Sequence, residues 1–377
     1  MSLTANIYPA TMALVWNPIR LSIDSSSLAT FTILDGTTEV YRGNGEGSFS
    51  LMIQDILSGC VAPATLLNES PDILLPATGT SKNIVINISN IDGDSVSLSI
   101  KAIIGGVSKR TLRRLADENS NIFTWKLLNS SSNFFKTTRT NSRLITIRET
   151  ELLPIQFVYP DKPLSVLAAG QTIDIAGVAG DACALNLYRL RKNIFDSHGI
   201  LTNVFDVYAG TTKSCRIVIT EGEASRERYL LEFLNSYGSY ERIEVTGNGT
   251  IKNESSEEST LYNVYDELVD DYIETRDRTS GTDSMEVESG FRNSDDLLHL
   301  IDMLSSDDIK ILGLDGRNVK VNVTAENLVQ AARQKETESI KLTLRFAESE
   351  RLHTGSLSEE NFGSPRIHTE QFTEQFN

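Results

Sequence analysis

Four histidines (His198, His299, His353, His368) and three cysteines (Cys60, Cys183, Cys215) are the side chains of this 377-residue chain best suited to ligating a metal or attacking an electrophile. Their spacing gathers none of them into a site. No CxxC and no HExxH occurs, so neither a redox pair nor a zinc-binding pair is written in the order of residues. His299 falls within a helical pattern and reads as a surface residue. GxSxG, a P-loop and a dinucleotide-type glycine motif after a strand are all missing. "RGNGEGS" at 42–48 is rich in glycine, but a hairpin precedes it and no Lys-Ser/Thr follows, so it does not read as a phosphate cradle. Carboxylates are the remaining resource. A glycosidase needs only two of them, so glycan depolymerisation stays open as a third reading of function. Asp266, Glu267, Asp270 and Asp271 crowd one stretch; the reading adopted is a solvated face beneath Tyr262, Val264 and Tyr265 rather than a metal or acid/base site. Asp92 and Asp94 in "IDGD" could hold calcium, but a tight turn needs the same residues, and the turn is preferred. No catalytic residue, cofactor or metal ligand is assigned, and the chain is expected not to be an enzyme.

Charge narrows the partners. The formal net charge is −16 and the pI about 4.8, which argues against a bulk surface that binds nucleic acid or an anionic membrane, since phosphates are neutralised by clustered Lys and Arg. "SKRTLRR" at 108–114 is the one basic run. The odd, widely spaced cysteines imply reduced thiols rather than a disulfide framework. The N-terminal stretch lacks the basic and apolar regions of a signal peptide, and no apolar run approaches the roughly 20 residues of a membrane helix.

The elements that would carry any site are mostly strands. "IRLSID" alternates Ile19, Leu21 and Ile23. "TFTILDGTTEVYRG" is two strands about an Asp35-Gly36 turn, and "NIVINISNIDGDSVSLSIKAII" repeats the arrangement about its own Gly. Residues 1–106 are expected to form a β-sandwich closed by Gly105-Gly106. Residues 107–153 change character: Lys109, Arg110, Arg113 and Arg114 open the stretch, and Phe123, Trp125, Phe134 and Phe135 stud it. Basic residues interleaved with aromatics suit single-stranded nucleic acid or a protein neighbour. In an acidic chain protein contact is preferred, and these eight residues are the expected assembly interface on an arm or linker. Residues 154–250 read as a second sandwich with a short helix near 225–236, capped by Ser225 and ended by Gly238. Residues 251–377 read as an acidic α+β segment with a helix at 294–305, capped by Ser294, a hairpin about Asp315-Gly316 and a polar tail. The fold class is mainly β: two β-sandwich-like domains plus a C-terminal α+β segment, with substantial helices only near 225–236 and 294–305.

The stretch from Gly105 to Pro160, together with "LLEFLNSYGSYERIEVTG" at 230–247 and "IKLTLRFAES" at 340–349, resembles virion structural proteins of phages and prophages of gut Bacteroidetes. "FLNSYGSYERI" is similar to an Leu-Asn-aromatic-Gly pattern of tail and baseplate components. The resemblance implies a non-enzymatic tail, baseplate or neck component. It would be located in the virion, and in the host cytoplasm during assembly, with other virion proteins and copies of itself as partners. A carbohydrate-binding or adhesin-like protein that touches a host-surface glycan is the alternative.

Overall fold

The computed structural model describes residues 3–139, 143–222, 225, 227–256, 261–276, 280–290, 292, 296–314, 317–326 and 339–350. It divides into two compact units, Met1–Thr220 with Leu234–Glu241, and Glu221–Phe233 with Arg242–Asn377. Both are built chiefly of strands, so the mainly-β class read from the sequence holds.

The first unit starts with β1 (Leu3–Tyr8), β2 (Met12–Leu14), β3 (Arg20–Asp35) and β4 (Thr38–Met52), followed by the one-turn α1 (Gln54–Ser58). β5 (Leu74–Pro76) joins a separate sheet, and β6 (Ser81–Asn90) and β7 (Ser95–Ile103) return to the first. β3 pairs with β1 along its first half and with β6 along its second; β4 runs along its other side, with a register shift in the β3–β4 pairing between Ser25 and Ala29. Leu21, Ile23, Phe31 and Ile33 of β3 face the same core as Ile84, Ile86 and Ile88 of β6, as alternation at period two requires. Both expected glycine turns are present, Gly36 at φ +62° and Gly93 at φ +93°. "RGNGEGS" lies inside β4, where a Cβ on Gly43 would stand 2.5 Å from the Phe31 ring and one on Gly45 2.6 Å from that of Phe49. Those glycines make room for aromatic rings lying across the strand.

Next come α2 (Lys109–Asp117), β8 (Leu144–Arg148) and β9 (Ile155–Val158). β10 (Leu164–Ala168), β11 (Gln171–Ile175) and β12 (Ala182–Leu185) precede α3 (Leu187–His198), β13 (Val204–Ala209) and β14 (Thr212–Thr220). They form a sheet of order β11-β10-β13-β14-β8 and a small sheet of order β5-β12-β9. The sequence reading missed both helices. Each has ordinary caps: Ser108 accepts from the Thr111 N–H, Asn186 accepts from the Arg189 N–H, and Gly199 closes α3 at φ +67°. Phe134, Phe135, Phe157, Leu187, Leu190, Phe205 and Ile217 share the core of this region.

The second unit contains all but the last residue of β15 (Arg228–Leu234), all but the first two of β16 (Tyr240–Ser256), and β17 (Leu261–Asp266), β18 (Asp271–Arg276) and β19 (Ser280–Glu288), then α4 (Leu297–Leu304), β20 (Ile309–Leu314), β21 (Arg317–Ala325) and β22 (Lys341–Glu350). Six strands close into a barrel of order β15-β16-β19-β22-β21-β20, and β17 and β18 form a hairpin of their own. The expected helix at 225–236 is instead strand β15. Tyr229, Leu231 and Phe233 alternate into the barrel, and the pairing of Leu230–Phe233 with Ile309–Leu312 on β20 closes it. Leu and Phe suit either period, so tertiary pairing decides. Ser225 donates its hydroxyl to the Glu227 carbonyl instead of capping a helix. The expected helix at 294–305 is α4; its expected cap Ser294, the Asp315-Gly316 turn, the tail and its His353 and His368 lie outside the described residues. His299 is not a surface residue. It is buried on α4, its ring 5.1 Å from that of Phe233.

Candidate functional site

The structure divides the expected interface in two. Lys109, Arg110, Arg113 and Arg114 are exposed on α2, whose Leu115 packs inward against Leu14, Ile103, Phe123 and Tyr237. The Arg114 guanidinium donates to Glu118 at 2.8 Å. The aromatics go the other way. Phe123 is buried in the cluster beneath α2, and Trp125 is half-buried beside it. Phe134 and Phe135 are fully buried, stacked at 4.9 Å with Phe157 5.4 and 5.3 Å away. They are therefore core residues and not docking anchors, because a ring with no exposed surface reaches a neighbour only if the core opens. Residues 107–139 and 143–153 belong to the first unit's packed body, so the expected free arm is not observed.

Directly after the Phe pair, the chain carries charge into the interior. Arg139 donates to Glu151 at 2.7 Å, both side chains being almost wholly buried, and its Nε lies 3.4 Å from Glu241. Glu241 also accepts from Thr137 and Asn235, each at 2.7 Å. Lys126 donates to the Thr137 carbonyl at 2.8 Å and stands 4.3 Å over the Tyr237 ring. Lys136, Arg139, Glu151, Gln156, Ser239 and Glu241 line a cavity of about 20 Å³, room for a single water. Three of those residues each keep a buried polar atom without a partner: Lys136 Nζ, Gln156 Oε1 and Ser239 Oγ. Burial alone lowers the Lys136 amine to about 7. A neutral buried amine is a nucleophile in principle, but this cavity has no space for a sugar ring or a peptide. The only trace of the cluster in the sequence is Lys136 directly after two strand-like phenylalanines.

A second feature is exposed and belongs to the second unit. Barrel pairing of β16 with β19 runs out to Ser256 opposite Ser280. The next described pair is Leu261 with Arg276, and the ladder ends at Asp266 opposite Asp271. On this hairpin Leu268 is 96% exposed and Val269 and Tyr272 66% each, with Val264, Tyr265 and Ile273 also exposed. The Tyr265 and Tyr272 rings meet edge to face at 5.4 Å. Asp266 accepts from the Leu268 N–H at 2.9 Å, and Asp270 accepts from the Tyr265 hydroxyl, raising the phenol's pKa. Glu267, Asp270 and Asp271 are exposed, as a solvated face requires, but Val264 and Tyr265 face solvent with them rather than covering a core; the Tyr262 side chain lies outside the described residues. Among the described residues no three His, Cys, Asp or Glu side chains gather to hold a metal ion. Asp92 accepts from the Ser27 hydroxyl, and Asp94 engages Asn90 through backbone and side chain, which is turn chemistry. The three cysteines carry free thiols, and burial pushes those of Cys183 and Cys215 up to about 12.

No family model and no curated protein matches the chain. Among solved structures it is similar to one from a study of host cell surface retention of a 1.5-MDa bacterial ice-binding adhesin, at 11% identity over 74% of this chain and 96% of that one, with a TM-score of 0.16. It is also similar to the periplasmic chaperone SfaE, at 7% identity over 59% and 100% of the two chains, with a TM-score of 0.20. A third is the Bacteroides ovatus mixed-linkage glucan utilization locus protein SGBP-B in complex with a mixed-linkage heptasaccharide, at 10% identity over 75% and 64%, with a TM-score of 0.16. Likeness at these scores carries no argument about fold or function.

Proposed function

We propose that the chain is a non-catalytic structural protein that works by docking on other proteins, as a tail, baseplate or neck component of a phage virion does. The observation that supports this reading is the β17–β18 hairpin. A two-stranded hairpin alone is marginal in water, and contiguous exposed apolar surface marks an interaction site. Leu268, Val269 and Tyr272 at its end are thus the surface offered to a partner, with acidic neighbours to steer the encounter.

The test is incorporation. Phage particles purified from an induced host should contain the chain in fixed ratio to the major capsid protein. A variant with Leu268→Ser, Val269→Ser and Tyr272→Ser should be missing from them while keeping its melting temperature. A chain absent from wild-type particles defeats the proposal. The exposed Tyr265–Tyr272 pair favours a second reading, glycan binding, because paired tyrosines present flat apolar faces with a polar edge. A glycan array on which wild type binds and Tyr272→Ala does not would support it; an array without signal removes it.

A further inference from the structure

The hairpin end and the exposed face of α2 are opposite in charge, and each carries exposed apolar surface nearby. Between Asn263 and Thr275 the sequence holds Asp266, Glu267, Asp270, Asp271 and Glu274 and neither Lys nor Arg. On α2, Lys109, Arg110 and Arg113 face solvent, and among the described residues no carboxylate pairs with them; Arg114 is taken up by Glu118. An apolar group is held at the segment that precedes α2. Trp16, 42% exposed, donates its backbone N–H to the Gly105 carbonyl at 3.0 Å. Its neighbour Asn17 exchanges two side-chain hydrogen bonds with Val107, at 2.8 and 3.0 Å. Those contacts fix Trp16 at the segment just before the Ser108 cap. Trp16, half exposed, is thus held at the segment that leads into α2 and its three unneutralised cations, and the hairpin offers exposed Leu268, Val269 and Tyr272 among Asp266, Glu267, Asp270 and Asp271.

We propose that the hairpin end of one copy docks on the α2–Trp16 face of a second copy. This rests on the docking reading above and names the partner. Because the two surfaces differ, the contact is head to tail. Each added copy leaves one hairpin and one α2 face free, which builds a ring if the rotation closes and a filament if it does not. Charge sets the encounter and register, and the apolar residues supply the desolvated centre.

The experiment uses the full chain and reads mass by light scattering and sedimentation. Wild type should rise from the 41.7 kDa monomer to at least twice that mass with increasing concentration at low salt. It should return to monomer near 1 M salt, where charges are screened beyond roughly 3 Å. A helix variant, Lys109→Glu with Arg110→Glu and Arg113→Glu, should stay monomeric. So should a hairpin variant with Asp266→Lys, Glu267→Lys, Asp270→Lys and Asp271→Lys. Mixed one to one, the two should associate again, since each then meets its opposite sign; restored mass also shows that both are folded. A monomeric wild type at every concentration overturns the inference, as do reversed variants that assemble like wild type. If the wild type is monomeric yet enters particles through Leu268, Val269 and Tyr272, this inference fails while the docking reading stands. Failure to enter particles defeats that reading on its own.

Discussion

Gly105 and Tyr237 meet backbone to backbone: a Cβ built on Gly105 would stand 2.3 Å from the Tyr237 carbonyl oxygen. The same approach is held by the Gly106 N–H donating to Ser236 at 2.7 Å, and it leaves 2.8 Å between a Cβ on Gly238 and the Ile104 side chain. Gly105 and Gly238 also sit at φ +116° and +74°. Sequence spacing places these glycines far apart; the fold joins them inside one unit, and neither tolerates a side chain.

Gly105→Ala should therefore destabilise by at least about 2 kcal/mol, since left-handed backbone and steric conflict add. Gly36→Ala is the control. Gly36 also has positive φ, but a Cβ there meets nothing within 4 Å, so only the backbone cost of about 1 kcal/mol applies. Urea unfolding of the two variants should differ in midpoint in that order, and equal midpoints would show that the close approach does not persist in solution.

Lys136→Met should stabilise the protein at pH 6 and have little effect near pH 10.5. The folded amine titrates at about 7 and the unfolded one near 10.4. Between those values the unfolded chain binds the extra proton, so stability rises with pH, on the order of 1.4 kcal/mol per pH unit. Below about 7 wild type must bury a charge that methionine lacks. The readout is the difference between the two proteins in urea at the two pH values. A variant less stable than wild type at pH 6 would mean the amine is held by favourable contacts.

Asp206 works in the opposite sense. Arg216 grips its carboxylate at 2.6 and 2.8 Å, with Lys213 at 2.8 Å, and holds it down at about 2. The stabilisation is complete above the usual carboxylate value near 4 and is lost as pH falls from about 4 to about 2. Asp206→Asn should lower the melting temperature at pH 6, and the gap to wild type should close toward pH 2. A gap independent of pH would place the effect in packing rather than in charge.

Phe134→Ser and Phe135→Ser should each cost about 3–5 kcal/mol, as large truncations in a packed core do. The double variant is expected to unfold as a monomer. Circular dichroism and light scattering together decide it: a folded monomer that merely stops associating would return these rings to an interface role.

The strands were largely legible because alternation is local, and β3, β4, β6 and β7 follow the written pattern of Leu21, Ile33, Ile86 and Ile100. "RYLLEFL" was not, because its leucines satisfy helical and strand spacing alike and only the pairing with β20 selects one. The hydrophilic composition of α2 and the mixed face of α3 hid both helices. Clustered charge stays at the surface, and Lys109, Arg110, Arg113 and Arg114 are exposed accordingly. Burial of Phe134 and Phe135 was not, because an aromatic pair in a polar loop looks the same from either side of a core. Nor could spacing reveal that Lys136, Gln156 and Ser239 line one cavity, since the contact is made across long stretches of chain.

Barrel closure sets an order on the ribosome. Leu230–Phe233 emerge early but find their partners only when Ile309–Leu312 appear, and β19 and β21 both await β22 at Lys341–Glu350. At roughly 5–20 residues per second this leaves apolar strand edges uncovered for several seconds. A chain that stops short of residue 350 keeps them uncovered for good, and such edges pair with one another. Premature termination near residue 350 should thus yield sticky fragments rather than a smaller version of the fold, because the last barrel strand is the one that covers both open edges.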